Sequence, residues 1–344
     1  MHDLLEGVCN YDLTGILRLF IIDFKYFSLE TLNQRIQYFG YGPTDIRNRP
    51  QAISENNLKN KKPLMLKTTA SEMWCLTRYL GLLIGDMVPR NSEIWELYIV
   101  LNKMLSIATS NSVGPECPFI LKNLIDEHHQ LYTKLLKTNL KPKHHHLLHY
   151  PSIMERVGPL INIWSMRFEA KHKESKVAAQ AITSRKNICY TLFLKNQLKV
   201  AHRVANSINF DPSALFKVGK TVFISEEELK NISSVLNDVS GYTFISWVNV
   251  NGTHYSTNNM CVFISINRET SLPVYGLIKH IYILPDMIPV AICSLFCTNS
   301  FDDHYQSYVV NNTKEIVKIK ITELPYKKPT SYHIHPDGLL YYIT

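Results

Sequence analysis

The feature that most constrains this chain is a change of hydrophobic grammar near residues 206–220. Upstream, apolar residues recur at the three- and four-residue spacings of amphipathic helices. Downstream they fall in short runs rich in Val, Ile, Tyr and Phe. The opening MHDLLEGVCNYDLTGILRLFIIDF sets Leu4, Leu5, Val8, Leu13, Ile16, Leu17 and Leu19 on one such stripe. SLETLNQRIQYF follows, with Ser28 placed as an N-cap and Glu30 and Thr31 in the first turn. Further helices are predicted over TTASEMWCLTRYLGLLIGDM, SEIWELYIVLNKMLSIATS and CPFILKNLIDEHHQLYTKLLK. Residues 40–62 read as an extended polar loop. Two prolines and Gly158 restrict KPKHHHLLHYPSIMERVGP to short helical pieces. From Asn162 to about Ala205 no Gly or Pro intervenes, which predicts one long helix. Its apolar stripe fails at KHKESK (171–176), so that turn faces water, an acidic partner or a polar site.

Past Pro212, strands are predicted in YTFISWVNV, MCVFISI, VYGLIKHIYIL, PVAICSLF, SYVV, IVKIKI and LLYYIT. Asn251-Gly252 between two runs signals a type I′ hairpin, and one short helix is expected in SEEELKNISSVLND. The expected fold class is α+β: a mainly α-helical N-terminal part, then a small antiparallel β-barrel or sandwich. The expected units are 1–160 (helical), 161–205 (one long basic helix carrying Glu169), 206–220 (linker) and 221–344 (β-rich).

Composition narrows the class. The 344 residues are 45% hydrophobic and 19% charged, which excludes global disorder, a coiled-coil rod and a collagen-like fibre. Seven scattered cysteines without a CxxC exclude a zinc ribbon and a complete disulfide framework, and read as reduced, mostly buried thiols of an intracellular protein. Asp3 and Glu6 interrupt the first apolar stretch, so no signal peptide is expected. The run from Val274 to Cys297 is broken by Lys279, His280, Asp286 and two prolines, and does not read as a membrane span. The sequons at Asn231, Asn251 and Asn311 therefore carry little weight.

Charge is concentrated. The chain carries +8, but residues 131–205 hold 14 Lys and Arg against three acids, a net of +11 that leaves −3 for the rest. Such a segment reads either as a nucleic-acid surface or as a solvated lysine-rich helix. Within it, His144, His145, His146 and His149 form a cluster. His146 and His149, spaced i and i+3, could share a metal ion, or the rings could simply pack and face solvent. Glu169 lies between Phe168 and Ala170, among Arg167, Lys171, His172, Lys173, Glu174 and Lys176. It is either a salt-bridge partner or a divalent-metal ligand with lysines on phosphates around it. One carboxylate is too few for two-metal phosphoryl transfer. Tyr326, Lys327, Lys328 and Tyr332 alternate aromatic and basic side chains, a pattern for base stacking, a peptide groove or an edge loop, and Tyr341 and Tyr342 read as barrel wall.

MHDLLEGVCNYDL, KPKHHHLLHYP and GPLINIWSMRFEAKHKESK together resemble the transposase of CACTA-type (En/Spm-like) DNA transposons, in its animal branch. VNGTHYSTNNMCVFI and PVYGLIKHIYIL resemble the β-rich domain that follows the catalytic region there, while residues 40–140 match only in pattern. The resemblance implies an RNase H-like core with an Asp-Asp-Glu triad holding two Mg²⁺ or Mn²⁺ ions. It also implies a helical insertion between the second Asp and the final Glu. Phe168-Glu169 matches the setting of that Glu. The family's second Asp precedes a Met-His pair, and Met1-His2 opens this sequence. On that mapping the sheet and both aspartates are missing, Asp3 is a poor substitute, and Glu169 is an orphaned third ligand after a helical insertion over 1–160. The expectation is a nuclear, transposon-derived fragment that binds DNA and does not cleave it on its own. Its DNA contacts would be Lys141, Lys143, Arg167, Lys171, Lys173, Lys176, Arg185 and Lys186. It could self-associate, with no membrane and no small-molecule cofactor, and with Mg²⁺ or Mn²⁺ only if catalytic. Two alternatives stand beside it: a metal-dependent nuclease acting through Glu169, with His146, His149 and Asp3 as further candidates or with aspartates supplied elsewhere, and a non-enzymatic host interaction scaffold.

Overall fold

The structure, a computed structural model, describes residues 2–59, 65–184, 186–206, 217–232, 236, 242–257, 259–284, 288–334 and 341–343, without the side chains of Arg167, Lys171, Tyr341 and Tyr342. Arg185, Pro212, the Lys62 end of the polar loop and those four side chains thus lie outside the described residues.

The fold is α+β, helices first and antiparallel strands after. Helix α1 (Cys9–Arg18) is prolonged by wider turns at Leu4–Val8 and Leu19–Asp23, where the Val8 N–H reaches the Asp3 carbonyl at 2.9 Å and the Phe24 N–H reaches Leu19 at 2.8 Å. Its predicted stripe, Leu13, Ile16 and Leu17, is fully buried at the centre of the helical layer. At α2 (Leu29–Tyr38) the Ser28 hydroxyl accepts the Thr31 N–H at 3.0 Å, the expected cap.

The stretch read as an extended loop instead holds α3 (Gly42–Asp45) and α4 (Glu55–Lys59). Buried Leu58 and a two-way bond between Asn33 and the Ile53 backbone, 2.9 and 2.8 Å, fix it to the layer. Then come α5 (Ala70–Ile84), opened by a Thr69–Glu72 capping box, α6 (Glu93–Ala108) and α7 (Cys117–Leu136). The short helices α8 (Pro142–Leu147) and α9 (Tyr150–Val157) each start on a proline turn, and α9 stops at Gly158.

The long helix predicted from Asn162 is two helices, α10 (Ser165–Ala181) and α11 (Ile188–Ala205). Ile182, Thr183 and Ser184 are weak helix formers, and the Asn187 side chain caps the new start by accepting the Tyr190 N–H at 3.2 Å. A Lys199–Glu174 pair at 2.8 Å ties the two helices together.

Beyond the linker, β1 (Lys217–Val218) precedes α12 (Glu226–Ile232), whose Ser225–Glu228 capping box lies within the predicted helix. The remaining strands are β2 (Thr243–Ile245), β3 (Trp247–Val250), β4 (Thr253–Ser256), β5 (Met260–Ile266), β6 (Pro273–Ile283), β7 (Pro289–Asp302), β8 (Ser307–Lys320), β9 (Thr330–Ile334) and β10 (Tyr341–Ile343). They divide between two antiparallel sheets rather than closing into a single barrel: β1-β3-β4, and a seven-stranded β2-β6-β5-β9-β10-β8-β7 in which β6 also pairs with β7. The β3–β4 hairpin turns through Asn251 (φ 51°) and Gly252 (φ 78°), the left-handed pair that a type I′ turn requires. SYVV and IVKIKI, read as two strands, are one, because the ladder slips opposite Ser294–Phe296 and absorbs the residues between them. Cys9, Cys75, Cys261 and Cys293 are buried, unpaired thiols, while Cys189 is exposed.

The helical layer and the large sheet meet at the turn between β7 and β8. There the Trp95 indole donates to the His304 carbonyl at 3.0 Å, His304 Nε2 lies 2.7 Å from the Gly85 carbonyl, and Arg90 pairs with Asp302 at 3.0 Å. A Cβ at Gly81 would run into the Tyr305 carbonyl, so only glycine lets α5 approach so closely.

Candidate functional site

The start of the chain, the first turns of α10 and the start of α8 converge. His2 lies between two carboxylates: its Nδ1 is 2.5 Å from Glu6 and its Nε2 is 3.1 Å from Glu169. A neutral imidazole has one N–H, so only the imidazolium can donate to both. The hydrogen bond and charge of Glu6, with Glu169 adding to them, raise the His2 pKa above 6.5 despite some desolvation. Beside this triplet Asp3 pairs with His146 Nδ1 at 3.0 Å, and the Lys143 ammonium donates to the carbonyls of His2 (2.8 Å) and Glu6 (3.4 Å). A cavity of about 270 Å³ lined by His2, Asp3, Tyr150, Trp164 and Ser165 adjoins the cluster.

Sequence reasoning placed Glu169, Asp3 and His146 in one site, and all three sit here in two neighbouring histidine–carboxylate contacts. His149 points elsewhere, its ring edge-on to His145 at 5.2 Å, so the i, i+3 pair does not act as a unit. Among the described residues no group of three His, Cys, Asp or Glu is arranged to hold a metal ion. With Glu169 and Glu6 bridged by one imidazolium, the set does not fit a two-cation centre. Two of the expected phosphate contacts also engage the fold. Lys143 braces the N-terminal turn, and the Lys141 ammonium lies 3.9 Å over the Tyr11 ring, where burial lowers its pKa.

Lys173 and Lys176 on α10, and Lys186 just before α11, are exposed. Over residues 165–205, nine Lys and Arg face two Glu, and α11 buries no residue. Exposed Phe168, Tyr190 and Phe193 stand among these cations.

A second cluster, which sequence reasoning missed, lies wholly inside the helical layer. Asp12 Oδ2 is 2.5 Å from His128 Nε2, and Asp12 Oδ1 is 3.9 Å from His144 Nε2, all three side chains without solvent exposure. His144 Nδ1 accepts the Lys141 N–H at 2.9 Å, so its proton sits on Nε2, facing Asp12. Burial would raise the Asp12 pKa, but the charges and hydrogen bonds of His128 and His144 outweigh it and hold the carboxyl below its ordinary value. Neighbouring His129 is pushed down to about 4 by burial and by the two histidine charges. The available signal was Asp12 at i+4 from Val8 and i−4 from Ile16, a carboxylate on the core stripe.

Comparison with family models, with curated proteins and with solved structures yields no match to the chain. No helix among the described residues is long and apolar enough to cross a membrane.

The His2 bridge has a measurable consequence. Its folded pKa lies above the unfolded value, so its small stabilising effect is complete below pH 6.5 and disappears as pH rises through the folded pKa. An NMR titration of the His2 ring is expected to give a midpoint above 6.5 that falls in Glu6→Gln and, by less, in Glu169→Gln. A midpoint unmoved by either change would break the bridge assignment.

Proposed function

We propose that the chain is a transposase-like, transposon-derived protein of the CACTA type that binds DNA in the nucleus and does not cleave it on its own. The observation that carries the reading is the 3.1 Å contact between His2 and Glu169. In the family's pattern, the Met-His pair follows the second catalytic Asp and the Phe-Glu pair holds the last ligand. His2, which follows the position of that Asp in the pattern, meets the residue matched to the last ligand, 167 residues away. The DNA-binding part rests on the exposed α10–α11 pair, whose lysines form a phosphate-neutralising surface while aromatic side chains stand among them. The reading without cleavage is supported by Glu6 and Glu169 facing His2, and Asp3 facing His146, where a two-metal centre needs its carboxylates gathered around cations.

Fluorescence anisotropy with a labelled duplex tests the reading. Five phosphate contacts give a log–log salt slope of about −4.5, hence roughly 500-fold weaker binding at 200 mM than at 50 mM salt. Reversing Lys173, Lys176 and Lys186 to Glu is expected to cost about a hundredfold or more at low salt. Binding indifferent to salt and to that triple change would hand the surface to a protein partner. Mn²⁺-dependent nicking that vanishes in Glu169→Ala would make the chain a nuclease in its own right.

A further inference from the structure

The seam between the helical layer and the large sheet holds a half-open cavity of about 460 Å³, within the roughly 300–1,000 Å³ typical of small-molecule sites. Its walls come from both units: Trp74 and Arg78 of α5 and Ser106 of α6 on one side, Tyr275 of β6 with Tyr326 and Lys328 of the segment before β9 on the other. Among the described residues the lining includes two cations and no carboxylate. Arg78 leans on Asp45 and on the Thr330 hydroxyl, each at a long 3.4 Å, and that same Asp45 oxygen accepts the Tyr79 hydroxyl at 2.8 Å. The Lys328 ammonium lies over the Trp74 ring at 4.8 Å. Although Lys328 is exposed at the mouth, the surrounding protein and the nearby Arg78 charge depress its pKa.

Two cations lining one pocket repel each other. An anion between them removes the repulsion and gains charge-assisted hydrogen bonds from a planar guanidinium and an ammonium. The rest of the wall, Trp74, Tyr275 and Tyr326, offers aromatic surface to a flat ring. Anion-binding groups beside aromatic faces, in a space of this size, select a ligand with a phosphate at one end and a planar heterocycle at the other. We infer that this cavity binds a nucleotide, with its phosphate on Arg78 and Lys328 and its base against the aromatic wall. The inference does not rest on the DNA reading of α10 and α11, which lie outside this cavity. It absorbs the Tyr326–Lys328 motif, which the Glu169 cluster leaves unused.

Calorimetric titration of the full chain with dTMP, thymidine and inorganic phosphate tests it. The expected result is saturable dTMP binding at submillimolar concentration, with thymidine and phosphate each at least about tenfold weaker because each lacks half of the contacts. Lys328→Gln is expected to weaken dTMP about tenfold, and Ser106→Trp, an exposed position at the cavity, to abolish binding by filling it. Thermal unfolding of both variants should match the parent chain. A short oligo-dT that competes with dTMP assigns the nucleotide to a DNA strand, and one that does not assigns it to the free nucleotide. No dTMP binding, phosphate alone binding as tightly as dTMP, or both variants binding like the parent would overturn the site.

Discussion

Trp95→Ala is expected to lower the unfolding free energy by about 4–6 kcal/mol, the largest loss foreseen for a single side chain here. Trp95 has no solvent exposure and packs against Tyr98, Phe20 and His304 at ring distances of 4.5, 6.0 and 5.3 Å. Removing a buried ring of this size costs about 3–5 kcal/mol in transfer and cavity terms. The change also strips the His304 carbonyl of its donor, a further cost of about 1 kcal/mol. The loss has a place as well as a size. Trp95 belongs to α6, while His304 lies in the turn joining β7 and β8, so the variant loosens the seam first. Urea unfolding measures the total, and limited proteolysis should show earlier cutting near residues 302–306. Trp95→Phe keeps most of the packing and loses the N–H, and should cost about 1–2 kcal/mol. An alanine variant less than about 2 kcal/mol below the parent would mean that the turn is not anchored by this indole.

That seam was not legible in the sequence, and the reason is physical. Periodicity reports which face of an element is buried, not what buries it. Leu13, Ile16 and Leu17 could therefore be assigned to a core from spacing alone, and Asn251-Gly252 fixed its hairpin because two left-handed residues leave little choice. The α10–α11 break went unread because no Gly or Pro marks it. It depends on the low helix propensity of Ile182, Thr183 and Ser184 together with a cap at Asn187, each a small effect. Strand lengths failed where the ladder slips, as in β8, since a bulge has no composition of its own here. At the candidate site, Glu169, Asp3 and His146 were legible as chemistry-bearing residues, but the bridge through His2 required the fold. The contacts that Lys141 and Lys143 make within the fold were not legible, because a lysine's stem and head can brace a turn or cover a ring as well as meet a phosphate.

Asp12→Ala is expected to cost about 3–5 kcal/mol near pH 6, because it leaves His128 and His144 buried without the anion they face. Asp12→Asn keeps a hydrogen-bonding group of the same shape and should cost less. The pH dependence separates the members of the cluster. The Asp12 pKa is held below its ordinary 3.8, so its contribution is complete above that value and is lost as pH falls through the folded pKa. His129 titrates at about 4 in the folded chain against 6.5 ordinarily, so between those values the unfolded chain binds more protons and stability falls as pH falls. His333, stacked on Phe39 at 4.9 Å and pushed down to about 3 by burial and the Arg78 charge, adds to the same slope. The urea midpoint is therefore expected to change little above pH 6.5, where only the small His2 contribution is lost, and to drop steadily towards pH 4. His129→Gln should flatten part of that drop and leave the His333 part. Asp12→Ala should retain a drop between pH 6.5 and 4 while losing the further step below pH 3.8. A parent chain equally stable at pH 7 and pH 4.5 would contradict the buried, neutral state of both histidines.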